Sequence, residues 1–308
     1  MLNILAGILL LYLGAESLVR GSSRLAAHFE IPPLIIGLTI VAFGTSAPEL
    51  SVSISAALKG SSDVAVGNVV GSNIFNIAVI LGITSLIRPP TVHLDLIRRE
   101  IPVLILVSIV GFVLVSYGQI SRVSGAVLVL GLCLFTFFSI RVGRKQPEVT
   151  ASLPSSARSP VLLCTVLIIA GLAVLVVGSN LFVAGAIAMA RNFGVSEAVI
   201  GLTIVAAGTS LPELATSVVA AFKRESDMAI GNIVGSCIFN ILCILGITAV
   251  ILPIEVAGVG IRDSSFMLGL SILLLPFAFS QRSLSRAEGC IFLAAYGVYL
   301  YLLWPTGS

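Results

Sequence analysis

Two glutamates set in apolar sequence are the residues best suited to do chemistry in this chain. Glu49 lies in GLTIVAFGTSAPEL, residues 37–50, and Glu213 in GLTIVAAGTSLPEL, residues 201–214. Near the centre of a bilayer a glutamate costs about 2.5 to 3.5 kcal/mol on insertion scales, so each should face the protein interior and meet a counter-charge. The four apolar segments that carry these motifs and their partners contain no Lys or Arg. The missing positive charge is then most simply a bound cation. Pro48 and Pro212 lack an N–H, which frees the carbonyls of Gly44 and Gly208 one turn earlier. Thr45, Ser46, Thr209 and Ser210 add hydroxyls at the same break. Irregular backbone at this depth is tolerated only where it is buried or lines a cavity, so the break offers hard oxygen ligands to a hard cation.

Each glutamate motif is followed by a second polar segment, GNVVGSNIFN at 67–76 and GNIVGSCIFN at 231–240. Asn68, Ser72 and Asn76 stand at i, i+4 and i+8, as do Asn232, Ser236 and Asn240, so each trio makes a polar stripe along one helix. Two carboxylates, hydroxyls, amide oxygens and freed carbonyls form an all-oxygen cage. Such a cage suits Ca²⁺, with its six to eight oxygen ligands, or Na⁺. Soft-metal chemistry has no support. Cys133, Cys164, Cys237, Cys243 and Cys290 all fall in apolar stretches without ligand spacing and read as small buried hydrophobes. His28 and His93 lie at span ends, where a surface role is expected. Structural readings compete at some positions. Gly67 with Gly71, and Gly231 with Gly235, are pairs that allow close helix packing, and Ser53 and Ser217 can bond their own helix backbone. Glu16 has Asn180 as its repeat counterpart and reads as snorkelling to the interface.

The two copies define a duplication. Glu213 follows Glu49 by 164 positions, as Asn240 follows Asn76, and residues 36–89 align with 200–253 without a gap at roughly two-thirds identity. The elements that hold them must cross lipid. With 57% hydrophobic residues, 10% charged residues and a mean hydropathy of +1.14, the chain would expose far too much apolar surface as a soluble globule. A cleaved signal peptide is not expected, because no basic region precedes the first apolar run and Glu16 and Arg20 stand where a cleavage site would be. The net charge of +3 fits loops facing anionic headgroups and gives no sign of nucleic-acid binding.

Apolar runs able to span about 30 Å of hydrocarbon fall at residues 2–27, 32–58, 64–87, 96–117 and 123–142. A second set falls at 160–190, 197–222, 228–252, 264–279 and 287–303. The expected fold is an all-α integral membrane protein of about ten transmembrane helices, with one five-helix unit at 1–142 and another at 160–308. A Pro- and Ser-rich cytoplasmic linker at 143–159 joins them. One set of alternate loops collects thirteen basic residues, from Arg20 and Arg24 to Arg282 and Arg286, and the other holds only Lys59, Arg122, Arg191 and Arg262. That bias places the first set in the cytoplasm and both termini outside a cell membrane. Five spans per unit then force the units to insert in opposite senses, the inverted-repeat plan of secondary transporters.

GTSAPEL with GNVVGSNIFN, repeated as GTSLPEL with GNIVGSCIFN, resembles the paired alpha repeats of the calcium/cation antiporter superfamily, most closely its prokaryotic sodium/calcium exchangers. The resemblance implies a ten-helix inverted repeat with ion sites clustered mid-membrane. It implies ligation by Glu49, Glu213, Thr45, Ser46, Thr209, Ser210, Ser72, Ser236, Asn76 and Asn240, with backbone oxygens of Ala42 and Ala206. It further implies that the long first helices of the two units slide against the rest to alternate access. The implied activity is electrogenic exchange of about three Na⁺ per Ca²⁺ by an antiporter that is no enzyme and carries no cofactor, with Ca²⁺, Na⁺ and lipid as its partners. Several relatives carry an aspartate where this chain has Asn240, so potassium co-transport is not expected. The 143–159 linker is too short for a calcium-sensing regulatory domain. The sequence carries no signal for oligomeric state.

A proton-coupled calcium exchanger is the alternative, since two facing carboxylates make proton binding natural. That branch, however, places its acid where this chain has Ser72 and Ser236. An ion channel is disfavoured because no selectivity-filter loop is present. An intramembrane hydrolase is disfavoured because the cage is built from neutral oxygens on both sides.

Overall fold

The computed structural model describes residues 1–94, 96–143, 160–193, 206–256 and 260–303. Its elements are almost all helices, and their exposed faces carry large apolar side chains such as Leu9, Leu130, Ile169 and Phe279, as lipid requires. Helix α1 spans Leu2–Phe29. Helices α2 (Pro33–Thr45) and α3 (Ala47–Leu58) form one span bent by 43°. They are followed by α4 (Ser62–Ile87), α5 (Leu96–Ser116) and α6 (Arg122–Gly143). In the second half come α7 (Val161–Asn192), a short turn at Ala206–Gly208, α8 (Leu211–Phe222), α9 (Ser226–Ile251), α10 (Ile261–Gln281) and α11 (Arg286–Leu303). Among the described residues eight helices are long and apolar enough to cross a membrane alone, and the bent α2–α3 pair, taken as one span, makes a ninth. The run expected at 197–222 is described only from Ala206 onward, and its first part lies outside the described residues, as do 144–159 of the linker.

The longest helices, α1 and α7, run antiparallel against each other along a seam of glycines. Gly7, Gly14 and Gly21 on one helix, and Gly171, Gly178 and Gly185 on the other, recur every seven residues and so stay on one face. A Cβ at Gly14 would lie 2.8 Å from the Leu175 backbone nitrogen, and one at Gly171 would lie 2.7 Å from that of Leu18. The two backbones are nearly in contact, which only small residues allow.

The duplicated glycines of the second copy have a packing role too. A Cβ on Gly231 would meet the Leu34 carbonyl at 2.6 Å, and one on Gly235 the Leu38 carbonyl at 2.7 Å, so α9 crosses α2 at close range. Two short extended contacts mark the symmetry. Gln119 pairs with Glu255 in a two-stranded antiparallel ladder, and Thr91 bridges to Ser283. An offset of 164 residues turns one pairing into the other.

The cysteines divide. Cys164, Cys237 and Cys243 are buried, but Cys133 and Cys290 are exposed on the apolar surface, because helices in lipid can turn a small hydrophobe outward without cost. Glu16 is not a lone snorkelling acid. It accepts from Arg20 and from Lys223, each at 2.7 Å, and so ties α1 to the residue that follows α8. His93 keeps to the surface, 3.3 Å from Asp227.

Candidate ion-binding site

The site forms where the α2–α3 break and its counterpart before α8 face each other. Ser46 has φ −83° and ψ 5°, and Ser210 has φ −88° and ψ 8°, so both leave the helical region immediately before the Ala47-Pro48 and Leu211-Pro212 pairs. Each proline stands in the first turn of a new helix, where its missing N–H is harmless. The next residues, Glu49 and Glu213, lie in that same first turn and are buried, each only 1% exposed.

The two breaks are cross-linked reciprocally. Ser46 Oγ donates to Glu213 Oε1 at 2.9 Å, and Ser210 Oγ donates to Glu49 Oε1 at 3.0 Å. Behind each glutamate an asparagine clamps the chain. Asn68 Nδ2 donates to the Glu49 carbonyl (3.1 Å) and to Ser53 Oγ (2.9 Å), while Asn232 Nδ2 donates to the Glu213 carbonyl (3.4 Å) and to Ser217 Oγ (3.0 Å). Ser53 and Ser217 therefore hold the neighbouring helix in addition to any role in their own. Asn68 and Asn232 belong to the scaffold of the cage.

The rest of each stripe turns inward at a widened helical turn. Stretches of π-helix begin at Asn76 and at Asn240, a local distortion frequent at functional sites. Seven of the oxygens that the motifs nominate are buried without a hydrogen-bond partner: Glu49 Oε2, Glu213 Oε2, Ser72 Oγ, Ser236 Oγ, Asn76 Oδ1, Asn240 Oδ1 and Thr209 Oγ1. An unsatisfied buried polar group is costly, and seven together call for a common partner. A hard cation can satisfy carboxylate, hydroxyl and amide oxygens at once. Among the described residues no group of three His, Cys, Asp or Glu could hold a metal, so any cation here relies on neutral oxygens around the two acids.

The copies are not equivalent. Thr45 Oγ1 lies 3.1 Å from the Val41 carbonyl and 3.2 Å from Asn232 Oδ1, whereas Thr209 Oγ1 is unpartnered. The Ala42 carbonyl accepts from the Ser46 N–H at 3.0 Å, and Ala206 opens the short helical turn before Thr209. The carbonyl freed by Pro212 is not left open, because Ser179 Oγ on α7 donates to Gly208 O at 2.7 Å. The equivalent position in the first copy is Ala15, which has no hydroxyl to offer. A cavity of about 320 Å³, lined by Pro48, Val52, Asn180, Gly208 and Thr209 among others, reaches the site from one side. Val52 is 39% exposed there, while its counterpart Thr216 is 0% exposed and Thr45 only 1%. Among these described residues the Val52 side is the more open.

A profile of the sodium/calcium exchanger protein family matches residues 1–141 and 163–304. The chain belongs to the sodium/calcium exchanger family. It is 40% identical over 313 residues to the inner membrane protein YrbG of Escherichia coli K12, covering 98% of this chain and 95% of the relative. It is 28% identical over 350 residues to the sodium/calcium exchanger MaX1 of Methanosarcina acetivorans, covering 98% of both chains. A solved structure of the sodium-calcium exchanger NCX_Mj, soaked with Na⁺ and Ca²⁺, superposes with a TM-score of 0.84 at 33% identity, covering 97% of this chain and 96% of that one. An exchanger family is a transporter family, so the paired glutamates serve no enzyme reaction. Three polar residues of this exchanger family member escaped the motif analysis: Asn73, Ser179 and Lys223. Only their partners on other elements reveal them, Asn240 and Glu16 in the opposite half of the chain and Gly208 in Ser179's own half.

Proposed function

We propose that the protein is a secondary antiporter that exchanges Na⁺ for Ca²⁺ by alternating access. The ions are held by Glu49, Glu213, Thr45, Ser46, Thr209, Ser210, Ser72, Ser236, Asn76 and Asn240, with the backbone oxygens of Ala42 and Ala206. The observation that carries this reading is the set of seven buried oxygens without partners, which a hard cation would satisfy together. The halves at 1–142 and 160–308 act as inverted units around that cage. The excess of basic residues on one side supports an orientation with both termini outside the cell membrane. The cavity at Val52 and Asn180 is then the external access path, and the Glu16–Lys223 ion pair belongs to the closed cytoplasmic side. Helices α1 and α7, joined along their glycine seam, move as one body to close the first path and open the second.

Charge sets the coupling. Glu49 and Glu213 contribute two negative charges, which one Ca²⁺ or two Na⁺ cancels. The Ser72 and Ser236 oxygens on either side leave room for one further Na⁺ held by neutral dipoles. About three Na⁺ then exchange for one Ca²⁺, and one net charge moves in each cycle, worth about 2.3 kcal/mol per 100 mV. Potassium is not carried, because the neutral Asn240 supplies no third anionic ligand.

The test is ⁴⁵Ca²⁺ uptake into proteoliposomes under Na⁺, H⁺ or K⁺ gradients imposed one at a time. The Na⁺ gradient alone should drive uptake. Glu49→Gln and Glu213→Gln should each abolish it while the protein still purifies as a monodisperse species. Normal uptake by both variants would reject the site, and uptake driven by H⁺ alone would favour the proton-coupled alternative.

A further inference from the structure

We infer that Asn73 is a positioning residue that turns the Asn240 carboxamide so that its oxygen, rather than its nitrogen, faces the transported cation. The inference rests on the cage proposed above and adds a residue that does not itself touch the ion.

A carboxamide has two nearly isosteric ends, one a donor and one an acceptor. Only the oxygen can ligate a cation, and a flipped amide would aim two N–H donors at it. A ligand asparagine must therefore have its nitrogen held from behind. Asn240 Nδ2 donates to Asn73 Oδ1 at 2.9 Å, and Asn240 Oδ1 is left buried and unpartnered on the cage side. Asn73 is fixed in turn. Its own Nδ2 donates to the Cys237 carbonyl at 3.2 Å and lies 3.6 Å from Met267 Sδ on α10. With its donor end committed to a main-chain acceptor, Asn73 can offer only its oxygen to Asn240. The order of acceptors and donors thus runs from the α9 backbone through Asn73 to the ligand oxygen, and each residue in it is buried, Asn73 and Asn240 at 1% exposure.

The relay has a carboxamide as its holder in one copy only. Asn73 and Cys237 are repeat equivalents, 164 positions apart, and they contact each other where the halves meet, with Cys237 Sγ 4.0 Å from the Asn73 carbonyl. In the other copy the Asn76 side chain meets the Cys237 thiol instead, and a thiol sulfur is a much weaker acceptor than a carboxamide oxygen. The chain therefore breaks its symmetry at this pair, and the asparagine that gains the strong holder is Asn240.

The experiment is a double-mutant cycle read by ⁴⁵Ca²⁺ binding to the purified full-length protein in detergent. Asn73→Leu removes the acceptor and should weaken Ca²⁺ binding about tenfold, the effect of leaving a buried donor unheld. Asn240→Asp places an oxygen at both ends of the side chain, so orientation ceases to matter. In that background Asn73→Leu should change Ca²⁺ binding less than about twofold. Asn73→Ala serves as the second variant if leucine disturbs folding, with gel-filtration monodispersity as the criterion. Equal losses in the two backgrounds would show a merely structural role and overturn the inference, as would no loss in either. Binding by the wild-type protein without sodium-driven uptake would reject the exchange reading alone, since the cycle still reports on amide orientation.

Discussion

Ser46 and Glu213 lie 167 positions apart in the chain, yet the Ser46 hydroxyl donates to Glu213 Oε1 at 2.9 Å, and Ser210 repeats the contact on Glu49 at 3.0 Å. Each half of the molecule thus orients the acid of the other. One carboxylate oxygen of each glutamate is fixed, and the second, Oε2, is buried without a hydrogen-bond partner. Hydrogen bonds to charged groups are worth about 1.5 to 3 kcal/mol, or about tenfold to a hundredfold in affinity. Ser46→Ala and Ser210→Ala should therefore each weaken apparent Ca²⁺ affinity by about tenfold in an uptake assay, while both proteins remain folded. Unchanged affinity in both would mean that the glutamates are oriented by something else.

Protons should compete with Ca²⁺ for the same two carboxylates, because the ion can enter only after any proton they hold has left. Apparent Ca²⁺ affinity should fall progressively as pH is lowered from about 8 to about 5.5, a range above the ordinary carboxyl value. The sign follows from mass action: more protons at low pH mean less free cage. A flat profile would count against a two-glutamate site.

The glycine seam should tolerate no side chain at its centre. At Gly171 a Cβ would lie 2.7 Å from the Leu18 nitrogen and 2.8 Å from the Gly14 carbonyl, both backbone atoms that cannot swing away. Gly171→Leu should force α1 and α7 apart and lower the thermal midpoint of the purified protein by several degrees or prevent its folding. A variant with wild-type midpoint and transport would show that the two helices need not move as one body. Gly297, with nothing within 4 Å of its Cβ position, is the control that should accept alanine.

Much of this was legible in the sequence because insertion into lipid is so restrictive. A mid-membrane acid must be compensated, so Glu49 and Glu213 were expected in the interior, where they lie, and Pro48 and Pro212 announced the breaks beside them. The direction of each polar side chain was less accessible. Asn68, Ser72 and Asn76 look equivalent on a regular helix, but Asn68 reaches sideways to Glu49 and Ser53. The widened turn at Asn76 further alters the register beyond it. Contacts between elements distant in the chain were invisible for a different reason. Ser179 reaches the Gly208 carbonyl and Lys223 reaches Glu16 only because α7 and α8 come to lie beside partners that no local pattern specifies. Glu16 taken alone therefore read as an interfacial acid.

The account turns on whether the caged charge moves as proposed. Sodium-driven ⁴⁵Ca²⁺ uptake should be measured in proteoliposomes with the membrane potential clamped, once by valinomycin and potassium and once by a protonophore in potassium-free medium. Uptake should proceed under both clamps and should change with voltage as expected for one net charge per cycle, about 2.3 kcal/mol per 100 mV. Exchange independent of voltage would contradict the three-sodium coupling, an absolute need for potassium would contradict the role given to Asn240, and no sodium-driven uptake at all would contradict the function itself.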